Sequence, residues 1–175
     1  MAKRQADRGT NRTRRQRRWA VVVAALVVIG AGVGYFAYRA AADLPGMKAA
    51  DQGNRHVQNG ESHEAYNTEP PTSGPHLPYI APWGVHTRPI QPELQVHNLE
   101  DGGVVVQYNC ECPELAEQLK KVVQGYDKYV ILAPYPSMKT RIALTAWTRI
   151  DTFDDFDERR IRRFINAYRG IDHHR

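Results

Sequence analysis

The sequence predicts an α+β protein: one N-terminal transmembrane helix followed by a small mixed sheet with two helices and a long ordered Pro-rich loop region. Three observations carry this expectation. An uncharged apolar run fills residues 19–38. Proline, glycine, histidine and aromatic residues crowd 56–98. From Val104 onward, runs with strand character alternate with runs of helical period.

The apolar run, WAVVVAALVVIGAGVGYFAY, holds no charged side chain. At about 1.5 Å per residue it spans about 30 Å, the thickness of a bilayer's hydrocarbon core. Trp19 at one end and Tyr35, Phe36 and Tyr38 at the other suit the interfacial belts. Residues 1–18 hold eight Lys or Arg against the single acid Asp7, a charge of +7 within a chain total of +5, so the remainder is mildly acidic at −2. The positive-inside rule then places the basic tail in the cytoplasm and the C-terminal part outside the cell membrane, as a single-pass protein. Because the basic excess belongs to a membrane flank, it gives no reason to expect nucleic acid as a partner. A cleaved signal peptide ending near Ala40–Ala42 is the competing reading; the length of the run and Arg39 before the cut disfavour it. Gly30 and Gly34 form a G-x-x-x-G that offers a weak anchor-mediated dimer, although glycine is common in membrane helices.

Beyond the anchor, the small, polar, Pro/Gly-punctuated residues 39–54 read as a linker, 55–170 as the extracytoplasmic domain and 171–175 as a frayed C-terminus. Asn67–His86, NTEPPTSGPHLPYIAPWGVH, has five prolines. Each fixes φ and removes an amide donor, so the segment is a loop. Leu77, Tyr79, Ile80, Trp83 and Val85 are large apolar groups of the kind disordered linkers lack, so the loop is expected to be ordered.

Val104–Tyr108 reads as a strand, and Pro113 opens a helix with Leu115, Leu119, Val122, Val123 and Tyr126 at helical spacing and Gly125 as its stop. KYVILAPYP from Lys128 is a second strand and TRIALTAWTRI from Thr140 a third. Strand, helix, strand and hairpin imply a crossover into a mixed sheet. The segment 153–170 closes the domain as a helix with Phe153, Phe156, Ile161, Phe164, Ile165 and Tyr168 on one face. HNLED, His97–Asp101, has an H-x-x-E form, but no helical period precedes it and Gly102-Gly103 follow. It reads as a turn, which argues against a peptidase.

Five of the seven histidines, His56, His63, His76, His86 and His97, lie in the loop-rich part. Imidazole is a common metal ligand and rigid loops can gather ligands that the sequence keeps apart, but this spacing is no recognised chelating motif. Cys110 and Cys112 face an oxidising compartment; their side chains are expected to point apart, so a bridge between them would be strained. Free thiols, a strained redox pair and soft metal ligands remain as alternatives, with Cys112 just ahead of a helix N-terminus. No Ser-His-Asp set or carboxylate pair can be defended from spacing, and no catalytic residue is assigned.

PPTSGPH, APWGV, VHNLE with GGVV, the YNCECPEL run, ILAPYP and IALTAW together resemble the bacterial domain of unknown function family 3105 across most of Gln52–Tyr168. The resemblance implies a membrane-anchored extracytoplasmic module with no assigned activity. It matches His56, His76 and His97 to histidines of the family pattern, leaves out His63 and His86, and places Asp101 where the family usually has histidine. Two functions are expected on that basis. One is a copper- or zinc-binding module using His56, His76 and His97, completed by Asp101 or by the soft thioether of Met138. The other is a non-catalytic assembly subunit of a membrane protein complex that docks through Tyr79, Trp83 and their stiff loop.

Overall fold

The computed structural model describes residues 2–174, with the side chains of 18–39 and 43–174 among them; the charges of the basic tail before Arg18 lie outside the described side chains. The chain divides into two compact units, Met1–Leu44 and Pro45–Arg175. In the first, α1 (Ala2–Ala42) is continuous, and its segment Arg18–Arg39 is long and apolar enough to cross a membrane, a property that signal sequences share. Its large side chains, Leu26, Val28 and Phe36 among them, are exposed.

The second unit is built on a six-stranded mixed sheet: β1 (Met47–Lys48), β2 (Gly84–Val85), β3 (Val104–Tyr108), β4 (Val130–Pro134), β5 (Ile142–Ala146) and β6 (Arg149–Phe153). The order across it is β1-β6-β5-β3-β4-β2. β2, β4 and β3 are parallel, while β5, β6 and β1 follow antiparallel. Side chains alternate between faces with period two. Val104, Val106, Val130 and Leu132 pack on α3 (Pro113–Val123) and α4 (Glu158–Tyr168). Val105, Ile131 and Ala133 face Val96 and Leu99 of α2 (Pro92–Glu100) and Trp147. Both faces are covered, which is why these strands read as near-continuous apolar runs. Each buried Leu, Ile or Phe contributes about 1.5–3 kcal/mol.

Several elements differ from the expectation. The folded unit has three helices, not two, because His97–Asp101 ends α2 and is not an isolated turn. Pro92 starts this helix, and six successive residues, Gln95–Glu100, are buried in it. A helix buried on nearly every side shows no amphipathic stripe, and here the polar groups of Gln95 and Asn98 are met internally. Asn98 receives the Ala81 amide and donates to the Ala81 carbonyl, both at 2.9 Å, and Gln95 donates to the Ile90 carbonyl at 2.7 Å. TRIALTAWTRI is two strands, not one: Trp147 and Thr148 make a tight turn with Thr148 at φ 56°, and no Gly or Asn marks it. The last helix starts at Glu158, not at 153, since Phe153 ends β6 and Asp157 caps the helix by accepting the Arg160 amide at 3.0 Å. Met47–Lys48, expected within the linker, forms an edge strand on β6.

Cys110 and Cys112 are bridged. The expectation of diverging side chains fails on two counts. Residues i and i+2 of an extended chain share a face, and the chain bends at Cys110. Their Cα atoms are 5.3 Å apart, within the range a disulfide spans.

The tail after Gly170, expected to fray, is held through residue 174. Gly170 N donates to Gly102 O at 2.7 Å and His173 N to Glu100 O at 2.9 Å. Gly102 sits at φ 82°, and a Cβ there would meet the Ile171 backbone at 2.8 Å.

Candidate metal site

The proline-rich loop is ordered, and Pro70–Leu77 are buried without interruption. Its backbone pairs with the segment before it: Val57 N donates to His76 O at 2.8 Å and His76 N to Arg55 O at 3.0 Å, a parallel bridge that sets His56 beside His76. Tyr66 adds a hydrogen bond from its hydroxyl to Pro75 O at 2.5 Å. α2 supplies the other side, since residues three and four apart on a helix are neighbours. His97 and Glu100 thus face the loop together.

The result is a cluster of His56, His76, His97 and Glu100, whose ligand atoms all lie within 4.8 Å of one another. The rings of His56, His76 and His97 are 4.9–5.3 Å apart between centroids. A second set, His97, Asp101 and His174, meets the same distance limit and shares His97. Three imidazole Nε2 atoms surround one carboxylate oxygen, Glu100 Oε2: His76 at 2.9 Å, His174 at 3.4 Å and His56 at 3.9 Å. Donors about 2.1 Å from a tetrahedral ion are about 3.4 Å apart, so these spacings suit atoms that share one cation.

Proton placement sharpens the point. His76 Nδ1 lies 2.7 Å from Gly74 O, and a carbonyl can only accept, so the Nδ1 proton is committed there. In the neutral ring Nε2 then carries only a lone pair, and it faces a carboxylate in a fully buried position. Two acceptors at 2.9 Å repel unless a proton or a metal cation lies between them. Metal-bound histidines characteristically commit their second nitrogen to a carbonyl or carboxylate in this way. His97 Nδ1 is buried with no hydrogen-bond partner, the kind of orphaned group that an ion accounts for. Burial pushes the His97 pKa down; Asp101 is the largest influence against it, His76 and His56 add to the fall and Glu100 opposes it, and burial decides the net direction. The ring is held neutral, as coordination requires. His174 moves the other way: its hydrogen bond to Asp172 Oδ1, at 2.7 Å, raises its pKa first, and Glu100 and Asp101 reinforce the rise.

Of the residues expected from the sequence, His56, His76 and His97 converge. Asp101 stands with His97, 3.8 Å away, and with His174, 3.5 Å away, in the second set. Met138 is not brought to the cluster: it is buried in the β4–β5 connection, and its carbonyl accepts from Asn109 beyond the far end of β3. His63 contacts Glu64 O and Glu93, and His86 contacts Pro82 O, both outside the cluster. Sequence reasoning missed Glu100 and His174 as members. The H-x-x-E spacing is the signal for Glu100, and it is legible only on the helix that carries it; no signal in the sequence marks His174. Trp83, expected as a docking group, packs on Tyr129 with 5.4 Å between ring centroids, while Tyr79 is exposed.

No curated protein and no solved structure matches the chain. The family model described as "Protein of unknown function (DUF3105)" matches residues 56–174, a span that opens on His56 of the first set and closes on His174 of the second. The chain belongs to the DUF3105 family.

Proposed function

We propose that this chain is a single-pass membrane protein whose extracytoplasmic unit binds a transition-metal ion through His56, His76, His97 and Glu100. The observation that carries the reading is the buried approach of His76 Nε2 to Glu100 Oε2 at 2.9 Å while Nδ1 faces the Gly74 carbonyl at 2.7 Å. Three imidazoles and one carboxylate are a borderline-hard donor set. With Met138 elsewhere and both cysteines in a disulfide, neither sulfur type expected from the sequence joins the described cluster, which favours Zn²⁺ or Cu²⁺ over Cu⁺. His56 is half exposed and leaves one side of the site open, which suits reversible loading or an added ligand. The apolar span Arg18–Arg39 and the tail charge of +7 support anchoring with the N-terminus in the cytoplasm.

The test is calorimetry on the chelator-stripped full chain in detergent, titrated with Zn²⁺ and separately with Cu²⁺. Binding tighter than micromolar is expected, and His76→Ala or His97→Ala should weaken it at least about 100-fold. His63→Ala and His86→Ala should leave it unchanged. No binding at micromolar concentration, or equal loss in His63→Ala and His76→Ala, would overturn the assignment.

A further inference from the structure

We propose that Cys110–Cys112 is an exchangeable disulfide that oxidises the dithiol of a protein or peptide. The pair sits where β3 ends and the crossover helix α3 begins, between two parallel strands. The spacing here is C-x-C, with Glu111 between the cysteines, and what it shares with the C-x-x-C pair of thioredoxin-like arrangements is its place at the strand-to-helix junction of a βαβ unit. Cys112 is the N-cap of α3 and no side chain caps this helix. Pro113 has no amide proton, so the free first-turn amides and the helix dipole stabilise negative charge at the Cys112 sulfur. Both cysteines are half buried and line an open cleft of about 730 Å³, walled by Tyr108, Pro113, Ala116, Pro134 and Pro136. A largely apolar cleft with a disulfide at its edge fits a polypeptide chain carrying a thiol.

The chemistry balances without a further reactant. A thiolate of the dithiol partner attacks Cys110 Sγ, the Cys110–Cys112 bond breaks, and Cys112 leaves as the thiolate stabilised by α3. The partner's second thiol, once deprotonated, attacks its own sulfur in the mixed disulfide and releases Cys110. Two electrons and two protons pass from the partner to the cysteine pair. A lower pKa in the leaving thiol speeds its departure, which selects Cys110 as the attacked sulfur.

The experiment uses the full chain in detergent with EDTA present, so that its outcome is independent of the metal site. The protein is mixed with a reduced dithiol peptide, quenched in acid at intervals and analysed by alkylation and mass spectrometry. The expected result is stoichiometric oxidation of the peptide, at least about tenfold faster than by glutathione disulfide at equal concentration, with the transient mixed disulfide on Cys110. Tryptophan fluorescence should show that the reduced product stays folded. In reduced Cys110→Ser protein, Cys112 should alkylate with an apparent pKa below the ordinary thiol value of about 8.5. A bridge that ignores the peptide until guanidinium is added, exchange no faster than with glutathione disulfide, or an ordinary Cys112 pKa would each overturn the proposal.

Discussion

Replacing Glu100 by Gln separates the two states that can fill the gap beside His76. The substitution keeps the side-chain volume at a position that is 1% exposed, so packing is conserved. If a metal ion normally occupies the gap, the metal-free wild-type protein holds an unfavourable contact between two acceptors. A glutamine amide can instead donate to His76 Nε2 across the same 2.9 Å, making an ordinary neutral hydrogen bond of about 1 kcal/mol. The metal-free variant should then be as stable as the wild type or slightly more so. Its metal affinity should fall at least about 100-fold, because an anionic ligand is lost from the coordination shell. In wild type, metal at about 100 times Kd adds about 2.7 kcal/mol. For a unit of this size that is a rise in Tm of about 10 °C, and the variant should show almost none. The assay is thermal unfolding of both proteins, with chelator and with Zn²⁺ or Cu²⁺. If the gap holds a proton and His76–Glu100 is a buried ion pair, the signs reverse: breaking the pair costs about 3–5 kcal/mol with or without metal. A large loss of stability in chelator, together with no metal-induced shift in wild type, would refute the metal reading.

Three further outcomes are expected. A reporter fused after Arg175 should be active only outside the cytoplasm, and a cytoplasmic signal would reverse the topology. For His63, burial works against the charged form, but the Glu64 carbonyl and the Glu93 carboxylate outweigh it and raise the pKa above the ordinary value. The imidazolium therefore stabilises the fold fully below about pH 6.5, and that contribution fades as pH rises through the folded-state pKa; urea unfolding of wild type and His63→Ala should differ more at pH 6 than at pH 8. Gly102→Ala places a methyl group 2.8 Å from the Ile171 backbone at φ 82°, so it should cost about 1–3 kcal/mol and make the segment after Gly170 newly sensitive to protease.

The sheet was legible because its strands are buried on both faces and so spell out their own positions, as Val104–Tyr108 and Val130–Pro134 do. α3 was legible for a related reason: only one stripe of it is buried, and Leu115, Leu119 and Val122 mark that stripe. α2 was hidden by the opposite condition. Its buried positions include Gln95, Asn98 and Glu100, which bond Gln107, Ala81 and His76 from segments that no local window contains. The same non-locality limited the site. His56, His76 and His97 were identified by the family pattern, whereas Glu100 needed the helix and His174 needed the contact between the tail and the Gly102 turn. The soft sulfur of Met138 makes it a candidate ligand by chemistry, but chemistry alone says nothing about which end of β3 a residue reaches.

The concentration of proline around His76 follows from what a buried histidine–carboxylate cluster demands. Fixing one backbone residue costs about 1–2 kcal/mol of conformational entropy, and a loop that had to order itself around an ion would subtract that cost from every ligand bond it makes. Pro70, Pro71, Pro75 and Pro78 restrict the chain before it folds, so much of the cost falls away in the unfolded state. What proline cannot supply is direction, because it removes amide donors that would otherwise fix the register. That is provided by the amides that remain, Gly74 N to Gly53 O at 2.9 Å and His76 N to Arg55 O at 3.0 Å, which pin the loop to the strand-like segment carrying His56. Stiffness from the ring and register from the two retained donors together place the His76 ring beside Glu100. If the cluster binds a cation as proposed, a loop restrained in this way lowers the ordering cost that its ligands would otherwise bear on binding.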